Sequence, residues 1–287
     1  MKKIFVLVIA AITIAFSGTT QAQIKSSKLE NSLLWEVSGN GLAKPSYLYG
    51  TIHMICAGDY FLSEKTKKAF DASDKLVLEI NLSDPKELLD VQQMAMGKEP
   101  LSKKLNSEQL SKLDVILKKT ANMTVKEVDA FSLMTVMSLI SMKSFGCDDL
   151  KFYEMSFIES AKKLKIPVDG LETVKSQLKS FEDAYSDAEM IAMLEESDVE
   201  ETKKLVEDYK QENLEGLYEK STAEKVMNVK AKKYILDERN RKWVEILPEM
   251  MKKEGVFVAV GAAHLAGEDG VINLLKKAGY RVKPVMR

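Results

Sequence analysis

Val256-Phe257-Val258-Ala259-Val260-Gly261-Ala262-Ala263-His264 is the stretch on which the fold reading turns. Five consecutive apolar residues without alternation describe a strand buried on both faces, the habit of parallel strands covered by helices. Glycine then lets the chain turn sharply off the strand and lets backbone or ligand approach closely. The same order recurs at Ser46-Tyr47-Leu48-Tyr49-Gly50-Thr51-Ile52-His53. Each copy runs on through a loop into a helix, Ser63–Ala72 or Gly270–Ala278, and then a second strand. That strand is the almost wholly apolar Leu76–Leu82 in the first copy and the alternating Tyr280–Val285 in the second. The predicted fold class is therefore α/β: two diverged strand-Gly-x-x-His-helix-strand halves forming one central, mostly parallel sheet. Leu33–Val37 and Ser46–Gly50 read as a short hairpin pair, and Ile166–Asp169 as a further short strand. Crevices at the carboxyl ends of parallel strands are where such sheets bind ligands, and each crossover should be right-handed.

Between the halves, at about 85–254, lies a large helical insertion. Thr124-x-x-Glu127 has the form of a capping box and predicts a helix running through Met142. Ser186 to Lys233, rich in Glu and Lys, reads as solvated amphipathic helices. The methionines between Met94 and Met155 read as adaptable core filler rather than a metal or partner surface.

The first 22 residues have the layout of a secretory signal peptide. Lys2 and Lys3 precede the charge-free run Ile4–Phe16, and Thr20-Gln21-Ala22 offers small residues at a cleavage point. The competing reading is an uncleaved N-terminal anchor. The expected mature chain, 23–287, is a single domain, periplasmic or secreted, with no later run long and apolar enough for a membrane span. Its 40 Lys and Arg against 43 Asp and Glu give a net charge of about −3, with no basic bias that would argue for nucleic acid. Two cysteines, Cys56 and Cys147, suit a disulfide in an oxidising compartment. Free buried thiols are the alternative, and His53-x-x-Cys56 also raises metal ligation.

The only two histidines of the chain, His53 and His264, occupy the same place in the repeated pattern. Imidazole there can meet a metal ion or act as a base near neutral pH. Glu79, inside the apolar Leu76–Leu82 strand, must be paired, neutral or metal-bound, because an isolated buried carboxylate is costly. Arg239 and Asn240 fall within the apolar stripe of a helix marked by Leu236, Trp243 and Met250. An inward Arg wants a carboxylate, from Glu79 or Glu172, or an anionic substrate group. Glu172, in Gly-Leu-Glu-Thr, also reads as an ordinary helix-starting acid. Gly267, Glu268 and Asp269 read as a turn and the acidic start of the last helix, with a ligand role as the alternative.

YLYGTIHM, the Glu of LVLEIN, the GLET segment, DERNRKW and VFVAVGAAHLAGEDGVINLLKKAGYRV together resemble the TraB/GumN (TraB/PrgY/GumN) family. That family is related to the Tiki proteases and to the erythromycin-esterase and ChaN-like superfamily. The resemblance implies a shared α/β core and a divalent-metal peptidase activity, supported by manganese or cobalt, with zinc a further candidate, acting on a peptide or protein substrate. On the matching positions it gives His53, Glu79 and His264 a site role, and Arg239 and Glu172 a place in the family motif. The favoured arrangement is one divalent cation between His53 and His264, with Glu79 as third ligand or as base. Two rivals stand beside it: a metal-independent, esterase-like hydrolase with His as general base, and a non-enzymatic metal or haem binder of the ChaN-like kind.

Overall fold

The computed structural model describes residues 29–195 and 199–286; the signal-peptide reading of 1–22 lies outside them. In chain order the strands are β1 (Leu34–Ser38), β2 (Ser46–Thr51), β3 (Met54–Cys56), β4 (Lys75–Ile80), β5 (Leu150–Phe152), β6 (Val168–Glu172), β7 (Val256–Gly261) and β8 (Arg281–Pro284). Six of them form a sheet in the order β6-β4-β7-β2-β1-β8, and β3 and β5 pair separately. β7 is parallel to both β2 and β4, and β4 is parallel to β6. Only β1 runs against its neighbours β2 and β8. The fold is the mixed α/β class read from the sequence, with one refinement. The two repeats do not lie side by side as halves. They interleave, because β7 of the second repeat inserts between β2 and β4 of the first. All six residues of β7 are buried, as a central parallel strand covered on both faces requires.

Interleaving sets the register that matters. Gly50 of β2 pairs with Val260, and Thr51 with Gly261, so the two Gly-x-x-His turns leave the sheet side by side. Gly261 must be glycine here: a Cβ would stand 2.9 Å from His53 Nε2 and 3.3 Å from Glu79 Oε1. Gly50 is under similar pressure, since its Cβ would meet Ala262 Cα at 3.0 Å.

Three local expectations shift. The Thr124–Glu127 capping box forms, but its helix ends at Val128, and a new one, Leu133–Ser144, starts at the Ser132 cap. The side chain of Asp129, the residue after the first of these helices, accepts from the Ser102 backbone N–H and hydroxyl, a tertiary bond that the local pattern does not encode. The strand expected at Ile166–Asp169 lies at Val168–Glu172, so Glu172 ends a strand and Thr173 caps the following helix, Val174–Ala184. None of the methionines from Met94 to Met155 is fully buried: Met123, Met134 and Met137 pack against the helical core from its edge, and Met134, Met137 and Met142 also border a cavity.

Two hydrophobic cores result. One packs the sheet between helices and includes Trp35, Tyr49, Phe157, Phe257 and Trp243. The other, among helices, includes Leu113, Ile116, Val136, Ile140, Ile191 and Leu236. Cys56 and Cys147 form a disulfide, which removes Cys56 as a metal ligand. Among the described residues no helix is long and apolar enough to cross a membrane.

Candidate functional site

Four neighbouring parallel strands, β6, β4, β7 and β2, bring their carboxyl ends to one crevice. They deliver Glu172, Glu79, His264 and His53 respectively. Arg239 reaches the same point from the helix Glu238–Lys253, which is entered through a π-helical turn at Lys233–Asp237. Short π segments of this kind are frequent at functional sites.

Glu79 is the hub. Its Oε1 accepts from the Gly261 N–H at 2.8 Å, and the Nε2 atoms of His53 and His264 stand 4.0 and 3.9 Å from that same oxygen. Its Oε2 accepts from Arg239 Nη2 at 2.5 Å and from Gln177 Nε2 at 3.0 Å. Burial opposes the charge of Glu79. Arg239, both imidazoles and the Gly261 N–H outweigh burial and hold the carboxyl well below the usual carboxylate range.

The Arg239 side chain is 4% exposed, and all its donors are engaged. Nε and Nη2 both donate to Glu172 Oε1, the former at 2.9 Å. Nη1 donates to the Ile235 carbonyl at 2.9 Å and to His264 Nε2 at 3.0 Å. With Nη2 also on Glu79, the five guanidinium N–H groups are accounted for. Of the two sequence readings of Arg239, the structural pair therefore describes this arrangement, and it involves both Glu79 and Glu172. No N–H is left to clamp a substrate carboxylate.

The two imidazoles are held alike. His264 Nδ1 lies 2.6 Å from Asn240 Oδ1, whose amide nitrogen donates to the Asp269 carbonyl. His53 Nδ1 lies 2.9 Å from Glu154 Oε1, which also accepts from the Thr51 hydroxyl at 2.8 Å. Each acceptor takes a hydrogen bond from the Nδ1 proton and turns Nε2 toward Glu79. This is the outer hydrogen bond that metal-binding histidines use. Trp243 packs on His264 with ring centroids 4.4 Å apart, and Arg239 lies over the same indole at 4.8 Å.

Their surroundings differ in charge. Burial and the adjacent Arg239 push His264 down to about 3, so it is neutral near pH 7. For His53 burial again opposes the charge, but Glu154 and then Glu79 outweigh it and raise the pKa to about 9. The His53 side chain is 57% exposed, so solvent screens much of the energy behind that shift. Its backbone sits at φ +60°, a left-handed conformation that costs a non-glycine residue about 1–3 kcal/mol and recurs at functional sites. The β3–β5 pair stabilises this turn: the Tyr153 N–H donates to the His53 carbonyl at 2.8 Å, and Glu154 follows directly.

Two imidazole Nε2 atoms and one carboxylate oxygen face each other, atom types from which divalent-cation sites are built. The spacing is more open than a bound ion would set. Among the described residues, no group of three or more His, Cys, Asp and Glu side chains is already placed to hold one, and Arg239 occupies the Nε2 lone pair of His264. Glu268 and Asp269 lie outside the cluster; Asp269 pairs with Arg241 at 3.1 Å. Glu154 and Gln177 belong to the cluster although no local pattern marks them. Asn240 was marked only by its place on the inward stripe.

A cavity of about 500 Å³ opens on the cluster, with Glu79, Gln177, Arg239 and both histidines in its wall. Fold and cavity together define a mostly parallel α/β protein with a histidine-bearing, charged crevice at the carboxyl end of its sheet. The chain belongs to the TraB/PrgY/gumN family, whose model matches residues 33–284. Metalloprotease TIKI1 of Xenopus tropicalis is 24% identical over an alignment of 347 residues that covers 97% of this chain and 66% of that protein. Metalloprotease TIKI2 of Danio rerio is 39% identical over 61 residues, 21% of this chain and 12% of that one. The chain thus spans less than two thirds of either relative's length. No solved structure matches it.

Proposed function

We propose that this chain is an exported, divalent-metal-dependent hydrolase that cleaves peptide bonds in the crevice between His53 and His264. On this reading residues 1–22 are a cleaved signal peptide, and 23–287 form a single domain with the helices of about 85–254 as an insertion. One observation carries the reading. Two imidazoles, each anchored through Nδ1, turn their Nε2 atoms within 4.0 Å of one Glu79 oxygen. The metalloproteases to which the chain is similar support it.

His53, His264 and Glu79 would hold the cation. When bound, it supplies water ionised near neutral pH and polarisation of a peptide carbonyl. Glu79, so strongly acidic, is a poor proton acceptor, which favours the ligand role over the base. Arg239 fixes Glu79 and Glu172 and offsets their charge. Glu154 and Asn240 orient the two rings. With both imidazoles neutral, as ligation requires, the formal charges of Glu79, Glu154, Glu172 and Arg239 sum to −2, which a dication balances. In the metal-free protein Arg239 covers His264 Nε2 and Glu154 favours protonation of His53; a bound cation would displace both, and a base in the esterase-like rival would have to do the same.

Metal analysis of mature protein purified from periplasm, followed by hydrolysis of a peptide library with Mn²⁺, Co²⁺ or Zn²⁺, tests the proposal. About one bound ion per chain is expected, with turnover lost by 10²-fold or more in Glu79→Gln. Bound metal without turnover on any peptide would favour the non-enzymatic binder. Turnover that survives full metal removal would favour the esterase-like hydrolase.

A further inference from the structure

The crevice does not end at the charged cluster. A second cavity, of about 550 Å³, adjoins the first and shares His53, Met134, Ser138 and Phe181 with it. One stripe of the helix Leu133–Ser144 forms its wall: Met134, Met137, Ser138, Ser141 and Met142, spaced i, i+3, i+4, i+7 and i+8. The opposite stripe, Leu133, Val136, Ile140 and Ser144, is buried in the helical core. Lys143 in the last turn is the helix's one charge, and a helix so apolar on both faces ordinarily buries both. Here the methionine face is half-buried and borders open space. Among the described residues, Lys225 is the only permanently charged side chain in the chamber wall.

We infer that this chamber receives bulky apolar side chains of the substrate peptide next to the bond that is cut, an inference that rests on the peptidase reading. Continuity with the cluster through His53 sets the position. A chamber of this size lies in the range of binding pockets that enclose most of a small ligand, room for more than one side chain. Methionine is unbranched, polarisable and adaptable, so the chamber selects an apolar class rather than one residue. Leucine, methionine and phenylalanine are the expected occupants.

Fluorescence anisotropy on the metal-free, full mature chain separates this inference from catalysis. The probes are a fluorescein-labelled hexapeptide with two adjacent leucines and the same peptide with two serines. The leucine peptide is expected to bind at least about tenfold more tightly. Met137→Lys or Met142→Lys should abolish most of that difference, whereas Val229→Lys, at an 89% exposed position, should preserve it. Thermal melts verify folding; should the lysine variants melt early, Met137→Ala enlarges the chamber and should shift the preference toward phenylalanine. Equal binding of the two peptides, or a preference unchanged in folded lysine variants, overturns the inference. So does lauric acid binding more than tenfold tighter than the leucine peptide, which would assign the chamber to an acyl chain. Selective binding without cleavage of any peptide sinks the peptidase reading and leaves an apolar-peptide chamber. Cleavage without apolar preference does the reverse.

Discussion

The two Gly-x-x-His turns share a motif and a register, yet they build unlike halves of one site. His264 is buried, stacked on Trp243 and tied to Asn240 and Arg239. His53 is 57% exposed, sits at φ +60° and leans on a carboxylate, Glu154. One histidine belongs to the scaffold and the other to the mouth of the crevice. Repetition of a motif therefore fixes where a side chain leaves the sheet and leaves its burial, charge and energetic weight to the elements packed around it.

The buried half should be the fragile one. Arg239→Met leaves Glu79 and Glu172 without their cation and should destabilise the fold by about 3–5 kcal/mol, measured by urea unfolding. A variant as stable as the parent would show that the two carboxylates do not depend on Arg239.

The histidines themselves give the direct contrast. His264→Ala strands the Arg239 Nη1 donor and the Asn240 oxygen and should cost about 1–3 kcal/mol. His53→Gly removes left-handed strain and should leave stability unchanged or raised by up to about 1 kcal/mol. Both should abolish metal binding by calorimetry. Equal stability losses would erase the distinction between scaffold and mouth.

A smaller effect is expected from Glu154→Gln, a positioning change in the exposed half. Metal affinity should weaken by about 10–100-fold, the scale for an outer hydrogen-bond partner. NMR titration of the metal-free variant should find the His53 pKa below about 9 and nearer its ordinary value. An unmoved pKa would mean that Glu154 does not govern His53.

The smallest effect is a pH slope. The His53 pKa is raised in the folded, metal-free protein. Its contribution to stability is therefore full below the unfolded value of about 6.5 and fades as pH rises through about 9. Exposure limits that contribution to less than about 1 kcal/mol. Melts from pH 6 to 10, on parent and Glu154→Gln, should differ by this slope alone. His264, held neutral in the folded protein, adds a slope of the opposite sign at the acid end, because the unfolded imidazole takes up a proton below about 6.5 and stability then falls as pH drops toward 6.

Much of this was legible from residue patterns. The uninterrupted apolar run at Val256–Val260 marks a central strand, and an acid within the apolar Leu76–Leu82 run marks a buried carboxylate needing partners. An arginine on the inward stripe of its helix marks the partner. Glu154 and Gln177 were not legible, because on their helices they follow no pattern that separates them from solvated acids and amides. The methionine stripe was visible as an apolar run, but its face toward a cavity was not.

By itself the sequence determined which segments are the main strands, where the two glycine turns fall and that Glu79 and Arg239 face inward, since hydrophobic period is a local property of the chain. Only the tertiary structure decided that β7 enters between β2 and β4, that Arg239 bridges two carboxylates, and that β3 and β5 carry Glu154 to His53. The physical reason is that strand pairing is non-local. Backbone hydrogen bonds are nearly indifferent to which strand supplies them, so neighbours are chosen by the packing of whole faces. It is that choice, in register at Thr51 and Gly261, which brings the two histidines to one oxygen of Glu79.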